Sequence, residues 1–186
     1  EKLIQWSEAR DIILESFSSF HPEISNLAKL FFKNNWIDAS LRKGKASGAF
    51  AHPSVPSLHP YILVNYQGKI RDVMTLAHEL GHGVHQILAG KNGLLMAETP
   101  LTLAETASVF GEMLVFRNLL DKSPIEQKKQ LLSGKIEDML NTVARQIGFH
   151  QFEVQFHEAR IKSELTPDEI SDIWMKTQSH AVGPHI

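Results

Sequence analysis

Apolar residues recur along most of this 186-residue chain at the three-to-four-residue spacing of a helix face. In WSEARDIILESFSSF, Ile12, Ile13, Phe17 and Phe20 make one stripe, and Ser7 is placed to cap its start. In HPEISNLAKLFFKNNW, Leu27, Leu30 and Phe31 repeat the spacing, and Pro22 suits a first helical position. The pattern then breaks. RKGKASGAFAHPSVPSLHP is rich in Gly, Ser and Pro and reads as loop, with room for a short strand at GAFA. YILVNY, residues 61–66, is β-branched and aromatic between Pro60 and Gly68, and predicts a strand. KIRDVMTLAHELGHGVHQILAG returns to helical spacing and should end at Gly90.

The rest of the chain reads as helix. ETPLTLAETASVFGEMLVFRNLLD should start near Pro100, which leaves Glu98 ahead of it. The next long segment opens with Ser123 as N-cap, Pro124 at the first position and Glu126 completing a capping box. Thr166, Pro167 and Glu169 repeat that device before DEISDIWMKTQS. No internal repeat, low-complexity run or linker interrupts the pattern. The expected architecture is mainly α, one helical unit with a small sheet early in the chain.

Composition narrows the function classes. The hydrophobic fraction of 42% and charged fraction of 22% are those of an ordinary globular protein. A net charge of -2 with no basic cluster gives no footprint for nucleic acid. No apolar run reaches the roughly 18 residues of a membrane span. There are no cysteines, so neither disulfides nor thiolate metal ligands are available, which fits a reducing, cytoplasmic setting. The chain begins with Glu1 and ends at SHAVGPHI without a closing element, and is expected to be a piece of a longer protein.

The densest chemistry is LAHELGHGVH, residues 76–85. Residues four apart share a helix face, so His78 and His82 project together and can both approach one Zn²⁺ at about 2.0–2.1 Å. Glu79 is offset by roughly 100° around the helix. That is too far round to ligate easily, yet close enough to act on water at the ion as a general base. The flanks are apolar, so these polar groups should be partly buried and in need of partners. Gly81 and Gly83 each weaken a helix by about 1 kcal/mol relative to Ala, which argues for close packing or close approach of a ligand.

His85 shares the face but lies about 10.5 Å further along the axis, too far for the same ion. The extended pattern with a third histidine also fails, because its glycine and histidine positions hold His85 and Leu88. A carboxylate from another segment should complete the set. Glu98, Glu105 and Glu112 are candidates at seven-residue spacing. Leu103, Ala104, Ala107 and Val109 around Glu105 point to a buried carboxylate in need of a partner. Glu112 suits either an acceptor behind a ligand histidine or an exposed acid.

LAHELGHGVH followed by ETPLTLAETASVFGE resembles the oligoendopeptidase F branch of the M3 metallopeptidases. WIDASLRKGKASGAF, PYILVNY and RQIGFHQFE resemble it too, so the similarity runs from about Phe31 onward. The resemblance implies a zincin-type, largely helical catalytic domain with a small sheet beside the zinc helix. It implies one Zn²⁺ per chain on His78, His82 and Glu105, with Glu79 as general base and oligopeptides as substrates. It also implies that residues 1–186 are a partial M3 catalytic domain. The family's N-terminal region that roofs the cleft and a later His/Tyr-rich segment that stabilises the oxyanion both fall outside this sequence, in the remaining parts of a full-length chain. The alternative is a catalytically incompetent helical module that binds zinc and peptides only.

Gly48 and Ala49 lie in a small-residue stretch that serves either to let a peptide backbone approach or simply as a flexible loop, and with Tyr61 they are the candidate substrate contacts. The YILVNY strand serves either as an edge that pairs with the peptide or as a core strand. His52 and His59 lie near that strand. His150 and His157 sit seven apart on the long helix, and His180 and His185 lie at the end of the chain.

Overall fold

The structure is a computed structural model that describes residues 3–183; His185 lies outside the described residues. The chain forms two compact units, residues 1–122 and 123–186. The division falls where the sequence shows no linker, between the end of one helix and the start of the next.

In the first unit, α1 (Trp6–Phe20) and α2 (Pro22–Lys33) precede three short strands, β1 (Ile37–Asp38), β2 (Phe50–His52) and β3 (Tyr61–Leu63). Then come α3 (Ile70–Gly90), a 3₁₀ turn at Leu94–Met96, and α4 (Leu101–Lys122). The start of α1 differs from expectation, since Gln5 is its N-cap and no side chain caps it. Pro22 does open α2, where His21 Nδ1 accepts the Glu23 N–H at 3.3 Å.

α3 is the central element and packs against α1, α2, α4 and the sheet. Its Val73, Leu76, Ala77 and Leu80 are fully buried with Ile13, Phe17, Phe31 and Val115. Two glycines set how closely α3 and α4 cross. A Cβ on Gly81 would meet the Ala107 carbonyl oxygen at 2.5 Å, and one on Gly111 would meet the Ala77 carbonyl oxygen at 3.0 Å. Gly83 faces the Phe31 ring, where a Cβ would sit 2.5 Å from Cζ. Gly81 and Gly83 are both there for packing.

The sheet runs β1-β3-β2, with β1 parallel and β2 antiparallel to β3. β3 is therefore the middle strand, with both sides paired, and the reading of YILVNY as a substrate-pairing edge is overturned. The edge facing α3 is β2. β1, only two residues long, carries no periodicity that a sequence reading could detect.

In the second unit, α5 (Ile125–Lys162) packs on α6 (Pro167–Val182). Phe149 and Phe152 hold Trp174 between them, with ring centroids at 5.7 and 5.1 Å. α6 opens with the expected capping box, in which Thr166 and Glu169 satisfy each other's backbone N–H groups. α5 does not: it starts at Ile125 with Pro124 at the cap position and no side-chain cap bond. No helix among the described residues is long and apolar enough to cross a membrane.

Candidate metal centre

The close crossing of α3 and α4 brings one carboxylate onto the two histidines. Glu105 Oε2 lies 3.0 Å from His78 Nε2 and 3.4 Å from His82 Nε2. The donor atoms of the three residues all fall within 4.8 Å of one another. Tetrahedral Zn²⁺ with bonds of 2.0–2.1 Å needs neighbouring donors about 3.4 Å apart. Two imidazoles and a carboxylate at this spacing fit such an ion in both chemistry and size.

Each donor is steered from behind. His78 Nδ1 lies 3.3 Å from Glu112 Oε2, which favours the tautomer that leaves the Nε2 lone pair free. The Ala104 backbone lies at the His82 ring and favours its charged form. Ser108, fully buried, donates its hydroxyl to Glu105 Oε2 at 2.6 Å and lies 3.0 Å from the Glu105 carbonyl oxygen. The Ser108 and Ala104 contacts were missed by sequence reasoning. The glutamate-to-serine spacing of three on one helix was the available signal for the first. A backbone acceptor leaves no mark in a sequence.

Glu105 itself corrects an expectation. Its side chain is 64% exposed, not buried. The burial of α4 begins only at Ser108, so the apolar neighbours Leu103 and Val109 are themselves exposed. Its partners are the imidazoles and a hydroxyl.

Glu79 is buried on α3, beside the ligands. Burial pushes its carboxyl up to about 7, assisted by the negative charge of Glu105 and opposed by His78 and by a hydrogen bond from the Ala51 N–H. Burial also acts to lower His78, but its hydrogen bond to Glu112 and the charges of Glu79, Glu105 and Glu112 outweigh it and leave His78 raised. For His82 burial prevails, and its pKa is lowered.

The sequence profile of peptidase family M3 matches residues 10–186. The chain belongs to this family. It is 33% identical over 157 residues to oligoendopeptidase F of Lactococcus lactis subsp. cremoris, covering 83% of this chain and 26% of that protein. It is 30% identical over 176 residues to oligopeptidase PepF of Bacillus subtilis, covering 92% of this chain and 26% of that protein. A crystal structure from Chlamydophila abortus, assigned as a peptidase, superposes with a TM-score of 0.74 at 30% identity, over 99% of this chain and 32% of that one. PZ peptidase A with an inhibitor shares the fold, with a TM-score of 0.78 at 19% identity over 95% of this chain and 31% of that one. The M3 chain thus spans about a quarter of the length of the curated relatives it matches.

The other expected contacts of this M3 chain are placed as follows. Gly48 has φ +82° and open space around the position of a Cβ. Its loop is bolted down. Lys45, its side chain 2% exposed, donates to the carbonyl oxygens of Asp38, Ser40 and Val64, and Asn65 Nδ2 donates to those of Ala46 and Gly48. Ala49 packs against the core, and Tyr61 is half-exposed at the start of β3 beside the His59 ring. His85 is not among the clustered donors. A cavity of about 440 Å³ lined by Trp6, Phe32 and Tyr66 shares no residue with the cluster.

Proposed function

We propose that this chain is part of the catalytic domain of a zinc-dependent endopeptidase that cuts oligopeptides. In this reading His78, His82 and Glu105 hold one Zn²⁺, Glu79 is the general base, and Glu112 orients His78. The observation that carries the reading is the convergence of both Nε2 atoms on one Glu105 oxygen, at 3.0 and 3.4 Å. When bound, the ion supplies Lewis acidity, polarising a carbonyl and making water a nucleophile near neutral pH. Glu79 takes the proton of the attacking water and passes it to the leaving amine. A carboxyl whose surroundings raise its pKa toward neutrality suits both halves of that transfer. Gly48, Ala49 and Tyr61 are the proposed peptide contacts, and the group that steadies the oxyanion comes from residues outside these 186. The setting we assign is cytoplasmic, in keeping with a chain without cysteine.

The test uses the full-length protein, zinc-loaded, with a quenched-fluorescent oligopeptide. Glu79→Gln should lower kcat by about 10²–10⁴-fold, while bound zinc stays at one per chain. Equal turnover by the variant would remove Glu79 from the reaction. A wild type that binds no zinc would remove the metal.

A further inference from the structure

The outer edge of β2 is fastened to α3 at Ala51. Ile62 sends its N–H to Trp36 and Val64 sends its N–H to Asp38, both on the β1 side of β3. Ala51 is paired with Ile62 across β2 and β3, so its own N–H and C=O point away from the sheet. Both groups are taken up by α3. The Ala51 N–H faces the Glu79 carboxylate and favours its charged form, and Gln86 Nε2 donates to the Ala51 carbonyl oxygen at 3.2 Å. Residues 79 and 86 are two turns apart on one helix face, so both side chains lie on the side of α3 that meets the strand.

Gln86 is a poor choice for stability alone. Its other amide atom, Oε1, is buried and has no hydrogen-bond partner among the described residues. A carbonyl oxygen can only accept, so the amide nitrogen must face Ala51 and Oε1 must face elsewhere. A leucine would fill similar space and remove the stranded Oε1, at the cost of the Ala51 carbonyl's donor.

We infer that Gln86 is a positioning residue: by holding the Ala51 carbonyl it fixes the edge of β2 at the distance where the Ala51 N–H orients the Glu79 carboxylate. The inference rests on the proposal that Glu79 is the general base. Gln86 touches neither substrate nor ion in this scheme and acts through Ala51 alone.

Two measurements on the full-length protein test it. The first is hydrogen exchange at the Ala51 amide in zinc-free protein, with no turnover involved. This edge amide should be protected in the wild type, and the protection should fall at least about tenfold in Gln86→Leu and in Gln86→Glu, because the strand edge loosens. The second is kinetic, with zinc loaded. Gln86→Leu should lower kcat by about tenfold to a hundredfold, the scale expected for a misplaced catalytic group. KM and zinc content should hold. In a Glu79→Gln background the same substitution should lower the residual turnover no further.

Unchanged Ala51 exchange in both variants would overturn the inference. So would an unchanged kcat, or an equal loss of turnover in the Glu79→Gln background, which would mark Gln86 as merely structural. A wild type without Glu79-dependent hydrolysis would sink the proposed function instead. Exchange at Ala51 would still decide whether Gln86 sets the strand edge.

Discussion

At the scale of single residues, one oxygen atom organises the site. Glu105 Oε2 takes the Ser108 hydroxyl and faces both imidazoles. Ser108→Ala should weaken zinc binding by about 10–100-fold, the usual effect of losing a group that orients a ligand, measured by competition with a chelator. Acid should weaken binding too, since ligand histidines must be neutral. His78 is raised from its ordinary value of 6.5, so its protonation starts to compete with the ion at higher pH than for a free histidine. Zinc affinity should therefore decline on acidification from above pH 6.5, and the onset should move to lower pH in Glu112→Ala. His78, His82 and Glu79 could be read from the sequence because their geometry is local to one helix. Glu105 was singled out there for burial, and the structure instead gives it an exposed position beside two imidazoles and a serine.

At the scale of elements, the site depends on how closely α3 and α4 cross. Alanine at position 81 would favour the helix by about 1 kcal/mol. Its Cβ, however, would sit 2.5 Å from the Ala107 carbonyl oxygen and 2.7 Å from Ser108 Cα, backbone atoms that cannot step aside. Overpacking of this kind costs roughly 1–3 kcal/mol. Gly81→Ala should be net destabilising in denaturant titration and should lose zinc affinity, because it pushes Glu105 away from the histidines. Helix periodicity made the helices and the Gly90 end of α3 legible. The strands were harder. β2 and β3 are only three residues long, and which strand sits in the middle depends on pairing partners distant in sequence. The loop carrying Gly48 looked unstructured because Lys45 and Asn65 fasten it through backbone carbonyls, which a sequence does not display.

At the scale of the whole molecule, all three proposed ligands belong to the first unit, residues 1–122. Zinc should stabilise the state that binds it by about 2.7 kcal/mol at a hundred times its dissociation constant. By hydrogen exchange, the added protection should fall on α3 and α4, and residues 123–183 should exchange as they did without the metal. Equal protection across both units would mean that the ion is held differently. The division itself was invisible in the sequence, since the boundary at Lys122 and Ser123 has no glycine or low-complexity run to mark it. Family membership was legible because the motif and its flanks are contiguous, whereas the unit boundary depends on contacts between distant segments.

The most direct measurement is an anomalous-scattering map at the zinc edge from crystals of the zinc-loaded full-length protein. It should show one peak within about 2.0–2.2 Å of His78 Nε2, His82 Nε2 and a Glu105 oxygen. A peak on the histidines with Glu105 turned away, or no peak between α3 and α4 at full zinc occupancy, would contradict the proposed centre.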